Sequence, residues 1–434
     1  MLFGLVGQIA WSVENMYFNL FVYNTVAKDL NAVTLMVQLS GVVATVATLF
    51  AGTLSDKTGN RRAFLCWGYA IWGVTVALFG MLSPNLTQTV LGVDLQTAIQ
   101  ITLVAVVVGD CVMTLFGSTA NDAAFNAWVT DNTQSEYRGG VEGVLSILPL
   151  AAMLIVAGGF GILVDAIGYQ LLFLLLGVVI SLCGFAGLFF VKDSPRLAKS
   201  GSFKDIFYGF KPSVVKGNKP FYLTLCLVLV YGVACQIFMP YMIIYMKEYL
   251  GFSVLEYSAV FAVAIVAGAA VNLWLTRLSD KKDKVDMLYL AVAIMAAGLL
   301  GMYFAKDMGK IADLILFGVF GFVMITGYIL VSALCGSTVR DYTPENAVGK
   351  LQGVRMVFSV LIPMVVGPLI GNAINAARNI PLPDQGSADM MTTQFIPAPE
   401  IFLAAAIVTL CMLALIPILK KVTKKENGDG SIKI

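Results

Sequence analysis

Apolar residues run along this chain in long blocks, separated by short polar or turn-rich stretches. Cutting at those stretches leaves twelve apolar segments, at about 1–27, 33–54, 62–82, 99–129, 140–165, 168–191, 220–248, 253–277, 285–305, 311–339, 348–377 and 399–419. Crossing a bilayer takes ~20 mostly apolar residues, and the longer segments are expected to tilt or to extend into water. Lipid offers no partner to backbone N–H and C=O groups, so spanning elements are helices or closed barrels. Segments of this length predict helices. The pattern therefore predicts an all-α membrane protein with twelve transmembrane helices.

Composition agrees. The 434 residues are 59% hydrophobic and 12% charged, about half the ~25% charge of a soluble domain. There is no histidine, which excludes an imidazole relay or a His metal site. Cys66, Cys111, Cys183, Cys226, Cys235, Cys335 and Cys411 all lie in apolar segments without metal-ligand spacing, and read as small buried residues. The start, MLFGLVGQ, has no basic n-region, so no cleavable signal is expected. No Walker loop is present, and GVLSIL at 143–148 lacks the second glycine of a nucleophile elbow. No enzyme activity, cofactor, metal or nucleic-acid partner is expected, and a monomer is.

Lysine and arginine orient the segments. With both termini on the cytoplasmic side, 22 of the 28 basic residues fall in cytoplasmic stretches and 5 in outer ones, leaving Arg355 inside a helix. That asymmetry predicts cytoplasmic termini in a cell inner (plasma) membrane. The basic stretch 192–219 then links an N-terminal six-helix bundle, 1–191, to a C-terminal one, 220–421, followed by a cytoplasmic tail, 422–434. The halves repeat. Shifted by 224 residues, Tyr17 falls on Tyr241 and LSDK at 54–57 on LSDK at 278–281. Shifted by 210, Asp131, Thr133, Gly139 and Gly143 fall on Asp341, Thr343, Gly349 and Gly353. Both halves start inside, so the repeat is parallel, about an axis normal to the membrane.

Between the second and third segments stands GTLSDKTGNRR, 52–62. Gly52, Asp56, Lys57, Gly59, Arg61 and Arg62 resemble the signature loop of the major facilitator superfamily; Asn60 departs from it. The second copy, TRLSDKKDK, keeps Asp280 and Lys281 without the glycines. The resemblance covers the whole chain and implies a secondary transporter whose loop latches the cytoplasmic side in one state. An anchor of topology is the competing reading. Arg138 and the start of the eleventh helix, around Val348, are the expected partners of the latch.

Chemistry concentrates in two segments. Glu14 lies about 20 Å along the first helix at ~1.5 Å per residue, inside the ~30 Å hydrocarbon layer. Trp11, Glu14, Asn15, Phe18 and Asn19 share one helical arc with Gly4, Gly7 and Gln8, opposite a greasy face. Asp110 lies near mid-depth in the fourth segment, where Thr114, Gly117, Asn121 and Trp128 continue its stripe. Asp122 falls off that stripe, as a candidate gate acid. The second half offers Gln236, Tyr241, Tyr328 and Arg355, the last as gate partner or substrate counter-ion. An ionised carboxylate among apolar helices costs several kcal/mol. It persists when paired, wet, or protonated for part of a cycle. The first two roles allow a plain helix-packing bond, the third a transport role.

Acids in helices 1 and 4, with GYAIWG at 68–73, resemble the glycoside–pentoside–hexuronide cation symporters. That resemblance implies that Glu14 and Asp110 hold sugar hydroxyls. It also implies acids on helix 2 for sodium, and AVTLMVQLSGVVATVATLFAGTL has none. Proton coupling through Glu14 and Asp110 is the expectation. The substrate would be a small polar molecule, a sugar or glycoside, in a cavity lined by helices 1, 4, 7 and 10. Proton-coupled efflux of drugs or metabolites is the alternative.

Overall fold

The computed structural model describes residues 1–133, 138–194, 203–279, 284–344, 348–381 and 395–428. Ten runs are helical, long and apolar enough to cross a membrane. Residues 2–26 add a further continuous rod of α- and π-turns. The run Ile147–Phe190 is two helices, because the chain turns at Gly168 with φ 76°. Side chains avoid that left-handed region, so glycine is what lets helix 5 end and helix 6 begin without a loop. Among the described residues this makes twelve membrane-length helices. They are α1 (2–26), α2 (Leu30–Thr58), α3 (Arg61–Phe79), α4 (Leu95–Asn132), α5 (138–167), α6 (169–190), α7 (Lys219–Tyr249), α8 (Val254–Ser279), α9 (Lys284–Phe304), α10 (Lys310–Asp341), α11 (348–378) and α12 (Glu400–Gly428).

Three features lay outside the sequence expectation. Pro84–Leu91 is a short helix inside the expected outer loop. Ser83 caps it by accepting from the Leu86 amide at 3.2 Å, Pro84 starts it, and Gly92 ends it with φ 65°. The basic link carries a 3₁₀ turn, Phe203–Phe210, and a helix, Pro212–Gly217. Two short strands, β1 (Ile380–Pro381) and β2 (Phe395–Ile396), pair antiparallel after α11.

The chain divides into two compact units. One comprises Met1–Phe203, Met239–Ser258 and Ala376–Pro397; the other comprises Lys204–Phe238, Ala259–Asn375 and Ala398–Ile434. In the first unit α3 and α6 touch backbone to backbone: a Cβ on Gly73 would stand 2.3 Å from the Gly177 carbonyl oxygen. Phe18, Phe79 and Phe173 stack beside this seam, with Phe18 to Phe79 centroids 4.4 Å apart. The half of α7 from Met239 onward packs in the same unit. Tyr241 and Thr34 hydroxyls lie 2.7 Å apart, and Lys247 donates to Asn24 at 3.0 Å. In the second unit Tyr208 and Val214 of the link cover a core of Phe221, Tyr222, Leu225, Val339, Leu351 and Val354.

The 52–62 loop is tied by one arginine. Arg61, only 8% exposed, pairs with Asp56, reaches Asp131 at the end of α4 at 3.0 Å, and donates to Ser55 Oγ at 2.6 Å. Gly59 ends α2 with φ 66°, and a Cβ on Gly52 would stand 3.9 Å from the Ala123 Cβ. The Arg62 amide donates to Asp193 at 2.9 Å, and Lys57 stands 5.9 Å over the Phe203 ring. Asp280 and the side chains of Arg138 and Val348 lie outside the described residues. The repeat reappears as an ion pair: Asp341 at the end of α10 meets Lys284 at the start of α9 at 2.6 Å. That second pair is about half exposed on both sides, so it contributes at most about 1 kcal/mol.

Two outcomes follow from this packing. Gly73→Ala forces α3 off α6 and should destabilise by about 1–3 kcal/mol, read as a lower melting temperature in detergent. Gly159→Ala, whose Cβ would meet nothing within 4 Å, should not. Asp94, which caps α4 through the Thr97 amide and hydroxyl, holds its carboxyl below the usual range because of those bonds. Its folded form binds a proton less readily than its unfolded form. The cap is therefore fully present above the ordinary Asp pKa of about 4 and is lost as pH falls through the lower folded value. Asp94→Asn keeps a cap but should abolish that acid sensitivity, seen by amide exchange at the start of α4.

Candidate functional site

Glu14 sits where α1 changes from α- to π-turns, at Glu14–Phe18. A π-turn inserts an extra residue per hydrogen-bonded ring and marks functional positions in many helices. α4 does the same at Ser118–Phe125, α5 at Val156–Phe160, α7 at Tyr245–Tyr249 and α11 at Val357–Leu361. In α1 and α4 these turns carry Glu14 and Asp122, while Asp110 lies in the regular α-helical part of α4.

The two helices meet through Glu14. Thr114 Oγ1 donates to Glu14 Oε1 at 3.0 Å, and both residues are buried. Asp110, one turn away on α4, is 1% exposed. Its Oδ1 completes no hydrogen bond within the chain, and Ser40 of α2 approaches the carboxyl. Asp110 and Asp122 both act on Glu14 through space. Among the described residues, no Lys or Arg forms an ion pair with any of the three acids. Glu14, Asp110 and Asp122 thus lie in the interior of the unit without a basic partner among the described residues.

Aromatic and amide groups close the compartment. Trp11 and Trp72 rings lie 5.1 Å apart, with both indole N–H groups buried and unbonded. Tyr69 donates to Asn121 Oδ1 at 2.9 Å, and Asn121 donates to Asp122 at 3.3 Å. The close fit of α1 here requires Gly7, whose Cβ would stand 2.4 Å from Asn121 Oδ1 and Tyr69.

Other expected residues lie elsewhere. Phe18 is buried in the phenylalanine stack. Asn19 is 1% exposed and donates to the Asn15 carbonyl at 3.0 Å. Asn15 is exposed and donates to the Trp11 carbonyl at 2.8 Å. Tyr241 is fully buried against Thr34, in a turn, Met239–Tyr241, that packs on Glu14–Phe18. Gln236 and Tyr328 belong to the second unit. There Gln236 packs on Gly367, and Tyr328 lies 5.6 Å from Tyr231 and accepts from its hydroxyl at 3.3 Å. Arg355 is exposed at the end of the first turns of α11.

Sequence reading singled out neither Ser40 nor Ser118, and took Tyr69 and Trp72 only as part of GYAIWG, 68–73, with no contact assigned to them. Ser40 had no signal, since a lone Ser in an apolar helix reads as packing. Ser118 had one: it continues a four-residue spacing from Asp110 and Thr114.

No curated protein matches this sequence significantly. Solved structures match its fold. A bacterial homologue of the iron transporter ferroportin aligns with a TM-score of 0.65 at 13% identity, over 98% of this chain and 97% of that one. The nucleoside transporter NupG aligns at 0.61 and 11% identity, over 98% and 97%. A bacterial homologue of the human lysosomal transporter Spinster aligns at 0.63 and 12%, over 97% and 95%. At such identities the likeness shows the fold. The sequence pattern of the Major Facilitator Superfamily, in turn, matches residues 3–368. With twelve apolar helices and this match over most of its length, the chain is a multi-pass membrane protein that belongs to the Major Facilitator Superfamily.

Proposed function

We propose that the protein is a secondary active transporter that moves a small polar solute, a sugar or glycoside, by proton-coupled symport with alternating access. In this reading it lies in the cell inner membrane with both termini cytoplasmic, and works as a monomer. In its two acids, Glu14 and Asp110, it resembles the glycoside–pentoside–hexuronide cation symporter group. Residues 1–191 and 220–421 are the two moving bundles, joined by 192–219.

One observation carries the reading: Glu14 and Asp110 share a buried compartment with no basic partner among the described residues. An unpaired charge there is expensive. Balance has to come from outside the chain, as a proton or as a positive group on the cargo. A proton suits a neutral polyol, because carboxyl groups then accept hydroxyl hydrogens while Trp11 and Trp72 cover a ring face. The orphaned polar atoms, Asp110 Oδ1 and the two indole N–H groups, are the donors and acceptors such a ligand would complete. Leaving each unmade costs about 1–3 kcal/mol.

The same geometry supports a second reading, efflux of cationic drugs or metabolites. Carboxylates and a tryptophan pair also suit an ammonium group. The fold does not choose, because structural neighbours include a nucleoside transporter and a homologue of an iron transporter. A thermal-shift screen of the purified protein against sugars, glycosides, amino acids and organic cations separates the two. Stabilisation by cations and by no sugar would overturn the symport reading.

With a substrate in hand, proteoliposomes test the coupling. Wild type should accumulate it when a pH gradient is applied. Glu14→Gln mimics the protonated acid and should still exchange substrate, but reach an inside-to-outside ratio of only about one. Accumulation at the wild-type level by both Glu14→Gln and Asp110→Asn would leave the acids a packing role.

The loop is read as a latch on the cytoplasmic side. Asp56→Ala removes one partner of Arg61 and should slow turnover. Arg61→Ala also frees Asp131 and Ser55, and should slow it further. Unchanged turnover and unchanged cysteine labelling in both variants would reduce the loop to an anchor.

A further inference from the structure

α4 carries a polar residue at every fourth position over five turns: Asp110, Thr114, Ser118, Asp122, Asn126 and Thr130. Burial falls steadily along this row. Asp110, Thr114 and Ser118 are at most 1% exposed, Asp122 is half-buried, and Asn126 and Thr130 are exposed. The row leads from Glu14, which Thr114 holds at 3.0 Å, to the end of α4 where Asp131 meets Arg61 at 3.0 Å.

In an unbroken α-helix Asp110 and Asp122 would point roughly 120° apart, at 100° per residue. The π-turns over Ser118–Phe125 hold more residues per turn and rotate Asp122 back toward the row. Ser118 Oγ and Trp11 Nε1 both stand beside the Asp122 carboxyl without completing a hydrogen bond. They are polar groups aimed at a common point, which a mobile water or proton would use.

We propose that this row is the proton's route out of the Glu14 compartment, with Asp122 as the group that hands the proton to water. The proposal rests on the proton-coupling reading above. Neighbouring rungs on a helix are about 5–6 Å apart between Cβ atoms, a gap that one water would span. The Thr114 hydroxyl, which donates to Glu14 Oε1 in the structure, turns toward Ser118; Glu14 then gives its proton to Thr114 Oγ1, whose own proton passes onward. Ser118 repeats the exchange. Both hydroxyls finish neutral, Glu14 has lost one proton, and Asp122 gains one and passes it to solvent.

The surroundings of Asp122 favour this passage. Its own helix presents Ser118 and Asn121. α1 presents Trp11 and Glu14, and α3 presents Tyr69. α2 packs on the same stretch and carries no titratable residue before Asp56 and Lys57. Among the described residues, no cation forms an ion pair with Asp122 that would hold it permanently as a carboxylate.

The test needs no substrate. The full chain in phosphatidylcholine–phosphatidylglycerol membranes is moved from H₂O to D₂O, and the buried carboxylic acid stretch is followed by infrared difference spectroscopy. The band lost in Glu14→Gln belongs to Glu14. Its deuterium exchange should slow at least about tenfold in Ser118→Ala and in Asp122→Asn. Ser118→Thr and Asp122→Glu, which keep the exchangeable groups, should restore most of the rate. Thr102→Val, two turns the other way along α4, should leave it unchanged. Exchange of the Glu14 band at the wild-type rate in both Ser118→Ala and Asp122→Asn overturns the route. So does equal slowing by Thr102→Val, which would report general loosening. If Glu14→Gln removes no acid band at all, the coupling reading fails and the route with it.

Discussion

Charge balance in an apolar interior is the constraint on which the first unit depends. Three carboxyl groups, Glu14, Asp110 and Asp122, lie among helices that supply hydroxyls, amides and indoles but, among the described residues, no pairing cation. A packing role would be served at lower cost by neutral partners, since a buried charge left alone is among the most destabilising features a chain can carry. Such an arrangement is stable only in states where something external neutralises it. In the proposed reading, that link between the energetics of the fold and whatever neutralises the acids is the physical basis of coupling.

Backbone irregularity is how the helices reach that arrangement. The π-turns at Glu14–Phe18 and Ser118–Phe125 break the regular drift of side chains around α1 and α4. Close backbone contacts do the opposite work. Gly73 against Gly177 presses α3 onto α6, and Gly7 lets α1 settle against Asn121 and Tyr69. The result is a close backbone seam of α3 and α6 beside two helices with π-turns at Glu14 and Asp122.

The Arg61 node shows the same economy at the end of the unit. One buried guanidinium joins the α2–α3 loop to the end of α4 through Asp56, Ser55 and Asp131. The repeated counterpart, Lys284 with Asp341, occupies the corresponding helix ends of the second half but is exposed. Corresponding helix ends thus carry pairs of unequal strength: an enclosed, multidentate arginine is worth more than a solvated lysine pair. This asymmetry makes the first copy the stronger candidate for a latch.

Much of this molecule was legible in one dimension. Twelve helices, close to their observed ends, followed from apolar length, because lipid leaves the backbone no other solution. The repeat, the loop motif and the two acids at mid-depth were visible as residue types at fixed spacing. What the sequence could not say was which side chains meet. Regular periodicity placed Asp122 off the Asp110 stripe, and π-turns, which no spacing rule announces, bring it back. Phe18 and Tyr241 looked like ligand contacts, yet tertiary packing puts one in a phenylalanine stack and the other against Thr34. Ser40 was silent in the sequence, and Tyr69 and Trp72 stood out only within GYAIWG, since a single polar or aromatic residue in a greasy helix acquires its contacts only from the helix beside it. Hydrophobic length is a property of one segment and is written locally; a binding compartment is a property of several segments at once, and only their packing decides it.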